Sequence, residues 1–277
     1  MIKKIGFIKL VGAGNDFILI DNRIARIVSQ KKLSGLARTM CDRIFGAGAD
    51  GLLVLENSKK ADVRMRIFNA DGSEAEMCGN GARCFAYYVV SRKRSGNAAC
   101  RQLSLETKAG IVKAEVRNDL VKVNLTPPHG TRLDLPLTIS RRRIRVNFIN
   151  TGVPHAVIFV QGLDDIDVAG LGRQVRYHGA FAPAGTNVNF VEVVSRDRIA
   201  IRTYERGVEG ETLACGTGST AAALIASMKL SGAGDRISVK TRGGEVLRVY
   251  FRKTASGFKD VWLEGKARIV YKGEYHV

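Results

Sequence analysis

The sequence predicts an α+β (mixed α/β) protein of two pseudo-symmetric domains. Each is a mostly antiparallel sheet or barrel wrapped around one central helix, with the active site in the cleft between the domains. Three observations carry this reading. Short β-branched or alternating apolar runs dominate the 277 residues. Only two segments read as helices of a different character. Each of those follows a Cys-Gly-x-Gly sequence, and the same order of elements surrounds both.

Strand signals come first along the chain: Phe17–Ile20, Leu52–Leu55 and Val63–Phe68, then Val157–Val160 and Ile199–Tyr204, bounded by Gly, Asn and Asp. The helices are expected at Ala82–Ser91 and Thr220–Leu230. Before the first lie the strand Val63–Phe68, a polar loop Asn69–Met77 and Cys78-Gly79-Asn80-Gly81. Before the second lie the strand Ile199–Tyr204, a loop Glu205–Ala214 and Cys215-Gly216-Thr217-Gly218. Downstream, Glu106–Val116 resembles Lys240–Tyr250. Upstream, Gly14–Leu19 resembles Thr186–Val191 more weakly. The cysteines are 137 residues apart and the downstream threonines 134. A near-constant offset over several elements marks a duplicated unit. The boundary is expected at Thr126–Gly130, since all five prolines lie at or after Pro127.

Composition excludes several classes. No run of about 18 apolar residues appears, so no membrane span is expected. The first residues, Met1-Ile-Lys-Lys-Ile-Gly, lack the apolar core of a signal peptide, and a soluble cytoplasmic protein is expected. The formal net charge of +18 raises the question of nucleic-acid binding. Residues 1–126 hold 22 Lys+Arg against 12 Asp+Glu and the remainder 22 against 14, so the excess is spread evenly. The clusters Arg92-Lys-Arg94 and Arg141–Arg145 carry no interleaved aromatics and no nucleic-acid motif. A solvated basic surface is the expectation, and nucleic acid is not an expected partner. Five cysteines without a C-x-x-C, and four scattered histidines, argue against a disulfide framework and a metal site. Cys41, Cys84 and Cys100 have no counterpart in the other half and are read as structural.

The two cysteines in equivalent positions suit inversion of an amino-acid α-carbon. One group must take a proton from one face while another delivers a proton to the opposite face. A thiolate and a thiol on opposite walls, exchanging roles with substrate handedness, supply that pair. The α-proton is less acidic than a thiol by on the order of ten pKa units, about 14 kcal/mol. Backbone N–H groups at two helix starts, Gly79-Asn80-Gly81 and Gly216-Thr217-Gly218, offer part of the remedy by stabilising a carboxylate whose charge builds up. Polar residues beside the motifs complete a zwitterion site: Asn15, Asn69, Asn80, Asn189, Glu205, Arg206 and an orienting His155. Each also has a plainer reading, as turn former, surface ion pair or satisfied buried histidine.

Asn69-Ala-Asp-Gly-Ser-Glu-Ala-Glu-Met-Cys-Gly-Asn-Gly-Ala-Arg-Cys84 resembles the first signature of the diaminopimelate epimerases. Gly12–Phe17, Tyr204–Gly207 and Glu211–Gly218 are similar to that family's other segments, and the likeness runs from about residue 7 to the last strand. The resemblance implies interconversion of LL- and meso-diaminopimelate, on the route to lysine and bacterial cell wall. It implies no pyridoxal phosphate or other cofactor, no metal, and a homodimer. It makes Cys78 and Cys215 the acid/base pair, with Asn15, Asn69, Asn189, Glu205 and Arg206 holding the substrate. Gly79, Asn80, Gly216 and Thr217 would donate to its carboxylate. It also implies that about residues 266–277 return to the first domain, giving domains of 1–126 plus about 266–277 and of 127–265.

Two departures stand out. The family often carries Gly-Asn-Pro-His where this chain has Gly152-Val153-Pro154-His155, and the segment Gly207–Glu211 is one residue longer than its commonest form. Rival readings are a related amino-acid racemase acting on glutamate or a proline-type substrate, and a basic nucleic-acid-binding protein on a degenerate enzyme scaffold. The proline group is expected to show a histidine within the first Cys-Gly-x-Gly, where Asn80 stands. Intact cysteines and glycines weigh against degeneration.

Overall fold

The computed structural model describes residues 4–23, 28–92 and 100–277. Lys93 and Arg94 of the first basic cluster lie outside them. The chain divides into two units, residues 1–123 with 265–277 and residues 124–264.

The first unit runs β1 (Lys4–Gly12), β2 (Asn15–Asp21), α1 (Leu33–Cys41), β3 (Gly51–Glu56), β4 (Val63–Asn69), β5 (Glu74–Ala75), α2 (Gly79–Arg92), β6 (Arg101–Thr107), β7 (Gly110–Arg117) and β8 (Leu120–Asn124). The second runs β9 (His129–Ile139), β10 (Arg142–Asn150), β11 (Pro154–Phe159), α3 (Val168–Arg176), β12 (Asn187–Ser195), β13 (Arg198–Glu205), β14 (Gly210–Thr212), α4 (Gly216–Lys229), β15 (Arg236–Lys240), β16 (Val246–Thr254) and β17 (Gly257–Lys266). The last strand, β18 (Arg268–His276), pairs antiparallel with β1 from Lys4↔His276 to Val11↔Arg268.

Both units repeat one topology. In the first, β2 pairs parallel with β3 across the α1 crossover, and β4 pairs parallel with β6 across β5 and α2. In the second, β11 pairs parallel with β12 across α3, and β13 pairs parallel with β15 across β14 and α4. Strands that follow one another directly, such as β1 and β2, β3 and β4, β6 and β7, β10 and β11, β12 and β13, and β15 and β16, pair as antiparallel hairpins. Parallel neighbours need a long crossover, which α1 and α3 supply.

Helix α2 is enclosed by β1, β2, β3, β4, β6, β7 and β18, and α4 by β10, β11, β12, β13, β15 and β16. Their sequences reflect this. In α4 every residue from Gly218 to Ser227 is buried, four of the ten being alanine, so this stretch of the helix has no solvent-exposed face. Helices α1 and α3 pack on the other side of the same strands. Leu33, Leu36, Ala37 and Met40 meet Ile18, Ile20, Leu52 and Val54, while Val168 and Val175 meet Ala156, Ile158, Val188 and Phe190. Strands β2 and β3 are thus covered on both faces, and Leu52-Leu-Val-Leu55 is a continuous apolar run rather than an alternating one.

The two-domain mixed α/β architecture agrees with the sequence reading, and three details correct it. Helices α1 and α3 were not anticipated. Helices α2 and α4 begin at Gly79 and Gly216, three or four residues earlier than read, because the glycines form the first helical turn instead of a preceding loop. The weak match of Gly14–Leu19 to Thr186–Val191 is out of step by one element. The register places β2 in the role of β11 and β3 in the role of β12, with Phe17↔Gly51 answering to His155↔Asn187.

Candidate active site

Both motif cysteines cap a helix. Cys215 is the N-cap of α4, in extended conformation at φ −120 and ψ 115, and its Sγ accepts the Gly218 N–H at 3.4 Å. Cys78 Sγ accepts the Gly81 N–H at the same 3.4 Å. The cysteine carbonyls start the helical ladders, taking Ala82 N–H and Ser219 N–H at 2.8 Å. A sulfur at a helix start lies in the positive end of the helix field, which favours its thiolate form. Cys78 is half-buried and Cys215 is buried. The glycines are there for close packing. A Cβ on Gly218 would stand 2.4 Å from Asn189 Oδ1, and one on Gly81 would meet Ile67 Cδ1 at 3.1 Å.

In the first unit a polar chain runs away from the cysteine. Asn80, 3 % exposed, receives Arg83 Nη2 on its Oδ1 at 2.7 Å and donates from Nδ2 to Asn15 Oδ1 at 2.6 Å. Asn15 donates in turn to Asp50 at 2.9 Å. Arg43 joins Asp50 to Asp16, and Lys9 closes on Asp16 at 2.6 Å. Burial alone would raise the Asp16 carboxyl, but hydrogen bonds from Arg43 and Lys9 outweigh it and bring it to about 2. Thus Cys78, Gly79, Asn80 and Asn15 are brought together. Asn69 lies exposed at the end of β4, its amide bonded to Ser73 Oγ at 2.9 Å.

In the second unit Thr217 Oγ1 lies 3.4 Å from Cys215 Sγ, and the Thr217 carbonyl accepts Thr151 Oγ1 at 3.0 Å, tying the β10–β11 loop to the start of α4. His155 and Asn189 are wholly buried. Asn189 donates to the Ala156 carbonyl at 2.9 Å and to His155 Nδ1 at 3.1 Å, and accepts Thr203 Oγ1 at 3.1 Å. Both N–H groups of its amide are therefore engaged within the unit, while Oδ1, with two lone pairs, accepts one hydrogen bond there. Burial, with help from the positive Arg206, pushes His155 down to about 3 and keeps it neutral. Glu205 accepts Thr212 Oγ1 at 2.9 Å, and the Arg206 backbone N–H is held by Asn187 Oδ1 at 2.8 Å.

The comparisons with known proteins bear on this geometry. A family model described as diaminopimelate epimerase matches residues 7–130 and 147–269, spans that include both capped cysteines. The chain belongs to the diaminopimelate epimerase family. It is 44% identical over 276 residues to the diaminopimelate epimerase of Aquifex aeolicus (strain VF5), covering 96% of each chain. It is 47% identical over 253 residues to that of Archaeoglobus fulgidus, covering 87% of this chain and 88% of the relative. Among solved structures, a Bacillus anthracis phenazine biosynthesis protein of the PhzF family superposes with a TM-score of 0.76 at 17% identity, over 99% of this chain and 100% of that one. A hydroxyproline epimerase from Agrobacterium vitis gives 0.70 at 18% identity, over 99% and 93%. At that identity the likeness is one of fold.

The two departures from the family pattern take concrete form. Val153 is half-buried in the loop between β10 and β11, after Gly152 at φ 103. The longer Gly207–Glu211 segment closes on itself through Glu209, which accepts the Gly207 N–H at 3.0 Å and pairs with Arg176 of α3 at 3.1 Å.

Sequence reasoning missed Arg43, Asp16 and Asp50, which fix Asn15, and Thr203, which fixes Asn189. It also missed Arg66 with Glu74 and Arg202 with Glu211, two forked ion pairs in equivalent places. Their separations, 136 residues for the arginines and 137 for the glutamates, lie within one residue of the cysteine offset of 137 and were the available signal. Among the described residues no helix is long and apolar enough to cross a membrane.

Proposed function

We propose that this chain converts LL-2,6-diaminopimelate to meso-diaminopimelate without a cofactor, using Cys78 and Cys215 as a two-base pair. The observation that supports this best is the matched capping of α2 and α4, each by one cysteine whose Sγ takes the third N–H of its helix. One sulfur, as thiolate, removes the α-proton; the other, as thiol, delivers a proton to the opposite face, and the roles reverse for the other stereoisomer. The backbone N–H groups of Gly79, Asn80, Gly216 and Thr217 would take the substrate carboxylate, where charge accumulates as the proton leaves. Asn15, Asn69, Glu205 and Arg206 would hold the remaining polar groups. Asn189 would donate to substrate only by giving up one of its Nδ2 bonds, and it also seats His155. The reading extends to a cytoplasmic homodimer, in keeping with the reduced thiols the chemistry requires.

The test is α-deuterium incorporation in D₂O by purified, reduced protein, with stereochemistry followed for LL-diaminopimelate, L-glutamate and L-proline. Inversion of diaminopimelate alone, abolished in Cys78→Ala and in Cys215→Ala, is the expected result. Turnover of glutamate with diaminopimelate inert would overturn the substrate while keeping the chemistry. Val153, with no hydrogen-bonding group where the family often carries Asn, is the feature that makes glutamate worth including.

A further inference from the structure

In each unit the segment carrying the cysteine leaves a small hairpin. Strand β5 pairs with β4 through Phe68↔Glu74, and Cys78 follows Glu74 by four residues. Strand β14 pairs with β13 through Tyr204↔Glu211, and Cys215 follows Glu211 by four residues. Two residues before each paired aromatic stands an arginine. Arg66 grips Glu74 with Nε and Nη2 at 2.7 and 3.0 Å. Arg202 grips Glu211 with Nε and Nη2 at 2.7 and 2.8 Å. Both guanidinium side chains are 11% exposed.

The arginines are anchored independently of these glutamates. Arg202 Nη1 donates to the carbonyls of Leu163, Asp164 and Ile166, each at 3.0 Å. Arg66 donates to Gln30 and lies 3.9 Å from Glu56. Each glutamate therefore fastens a loop end to a cation already fixed in its unit. A planar fork restrains direction as well as distance, which a single hydrogen bond does not. The loop is held a second time on its way to the cysteine. Ala109 N–H donates to the Glu76 carbonyl at 3.3 Å, and Gly243 N–H to the Leu213 carbonyl at 2.8 Å. The two units differ freely elsewhere, with Thr220 of α4 standing where α2 has Arg83, yet both keep the forked pair and the backbone tie.

We propose that Arg66–Glu74 and Arg202–Glu211 are matched positioning pairs, each setting the place of one thiol in its own unit. The proposal rests on reading Cys78 and Cys215 as the acid/base pair. A proton transfer in which the reacting atoms must stay within about 3–3.5 Å is sensitive to displacements of about 1 Å, which can cost on the order of a hundredfold in rate.

The experiment uses the full-length reduced protein with Glu74→Gln and Glu211→Gln, which keep side-chain size and leave each arginine its other partners. Iodoacetamide alkylation of each cysteine is timed by peptide mass spectrometry, and kcat and KM for diaminopimelate are measured beside it. The expected result is local. Glu74→Gln changes the alkylation rate of Cys78 by at least about threefold and leaves Cys215 as in the parent, and Glu211→Gln does the reverse. In both, kcat falls on the order of tenfold or more while KM stays within about twofold. Equal changes at both cysteines, or none at either, would overturn the proposal, since a brace of general stability has no preference for the near thiol. If either variant fails to fold, Arg66→Lys and Arg202→Lys, which retain charge but lose the fork, are judged by the same measurement. A parent protein inert toward diaminopimelate would count against the proposed function, while the alkylation rates would still decide the positioning role.

Discussion

Asn189 donates from Nδ2 to His155 Nδ1 at 3.1 Å, with both side chains wholly buried in the second unit. The Asn189 orientation is set by its bonds to the Ala156 carbonyl and Thr203 Oγ1, so Nδ1 of the histidine accepts and Nε2 carries the proton. Protonating Nδ1 would aim an N–H at an NH₂ group, in a buried place that already feels Arg206.

His155 is accordingly expected to stay neutral throughout the working range, with a pKa of about 3. Its folded value lies below its unfolded value of about 6.5, so between these pH values the unfolded chain binds more protons. Its contribution to stability is complete above about pH 6.5 and is lost as pH falls toward 3. Nitrogen–proton correlation spectra should show the His155 ring flat from pH 5 to 8, and a midpoint near 6.5 would refute this.

Asp16, brought to about 2 by Arg43 and Lys9, acts in the same direction at lower pH. Its folded value is below the ordinary aspartate value of 3.8, so its stabilising effect is present above that value and is lost as pH falls through 2. Asp16→Asn should destabilise the protein by about 2–3 kcal/mol in urea unfolding at pH 7, because it leaves the Lys9 ammonium buried without its carboxylate. A loss below about 0.5 kcal/mol, the usual scale for surface changes, would show that the pair is inert.

Gly81 and Gly218 hold equivalent places, yet alanine should be tolerated differently. At Gly218 the new Cβ would stand 2.4 Å from Asn189 Oδ1, whose amide is tied to Ala156, His155 and Thr203, so His155 and the start of α4 must shift. A loss of about 1–3 kcal/mol is expected, together with most of the activity. At Gly81 the neighbours are the side-chain tips of Ile67 and Leu53 at 3.1 and 3.3 Å, which can give way. The gain of about 1 kcal/mol in helix propensity offsets that crowding. Thermal melts of the two variants should therefore separate clearly, and equal melting temperatures would contradict the packing argument.

Val153→Asn restores the residue that the family often carries at this point. It should lower KM for diaminopimelate several-fold with kcat little changed, because a contact to the distal amino-acid centre serves ground state and transition state alike. Steady-state kinetics of the single variant beside the parent would decide it. An unchanged KM would mean that distal recognition uses other groups here.

Several features could be read from the chain alone. The repeat, the two Cys-Gly-x-Gly starts and the buried central helices were visible because they are local. A cysteine, two glycines and a largely apolar run lie within one stretch of about 15 residues, and the duplication repeats them at a fixed offset. Helices α1 and α3 were not visible, since Leu33-Ser-Gly-Leu-Ala-Arg-Thr-Met-Cys41 and Val168-Ala-Gly-Leu-Gly-Arg-Gln-Val-Arg176 are nine residues long and contain glycine. Segments that short hold a helix by docking an apolar face onto strands, not by propensity. The weak match of Gly14–Leu19 to Thr186–Val191 misled because both stretches are polar turns entering apolar strands. Only the parallel register shows that one enters β2 and the other β12.

The family, the duplicated α/β plan and the two cysteines at helix starts were legible in the chain, because each is written in contiguous residues. The rest came from packing between distant segments of the folded molecule. It buried Asn189 and engaged its amide, held His155 neutral, and joined Arg66 to Glu74 and Arg202 to Glu211. Those outcomes depend on hydrogen bonds and desolvation between groups brought together by strand pairing and packing.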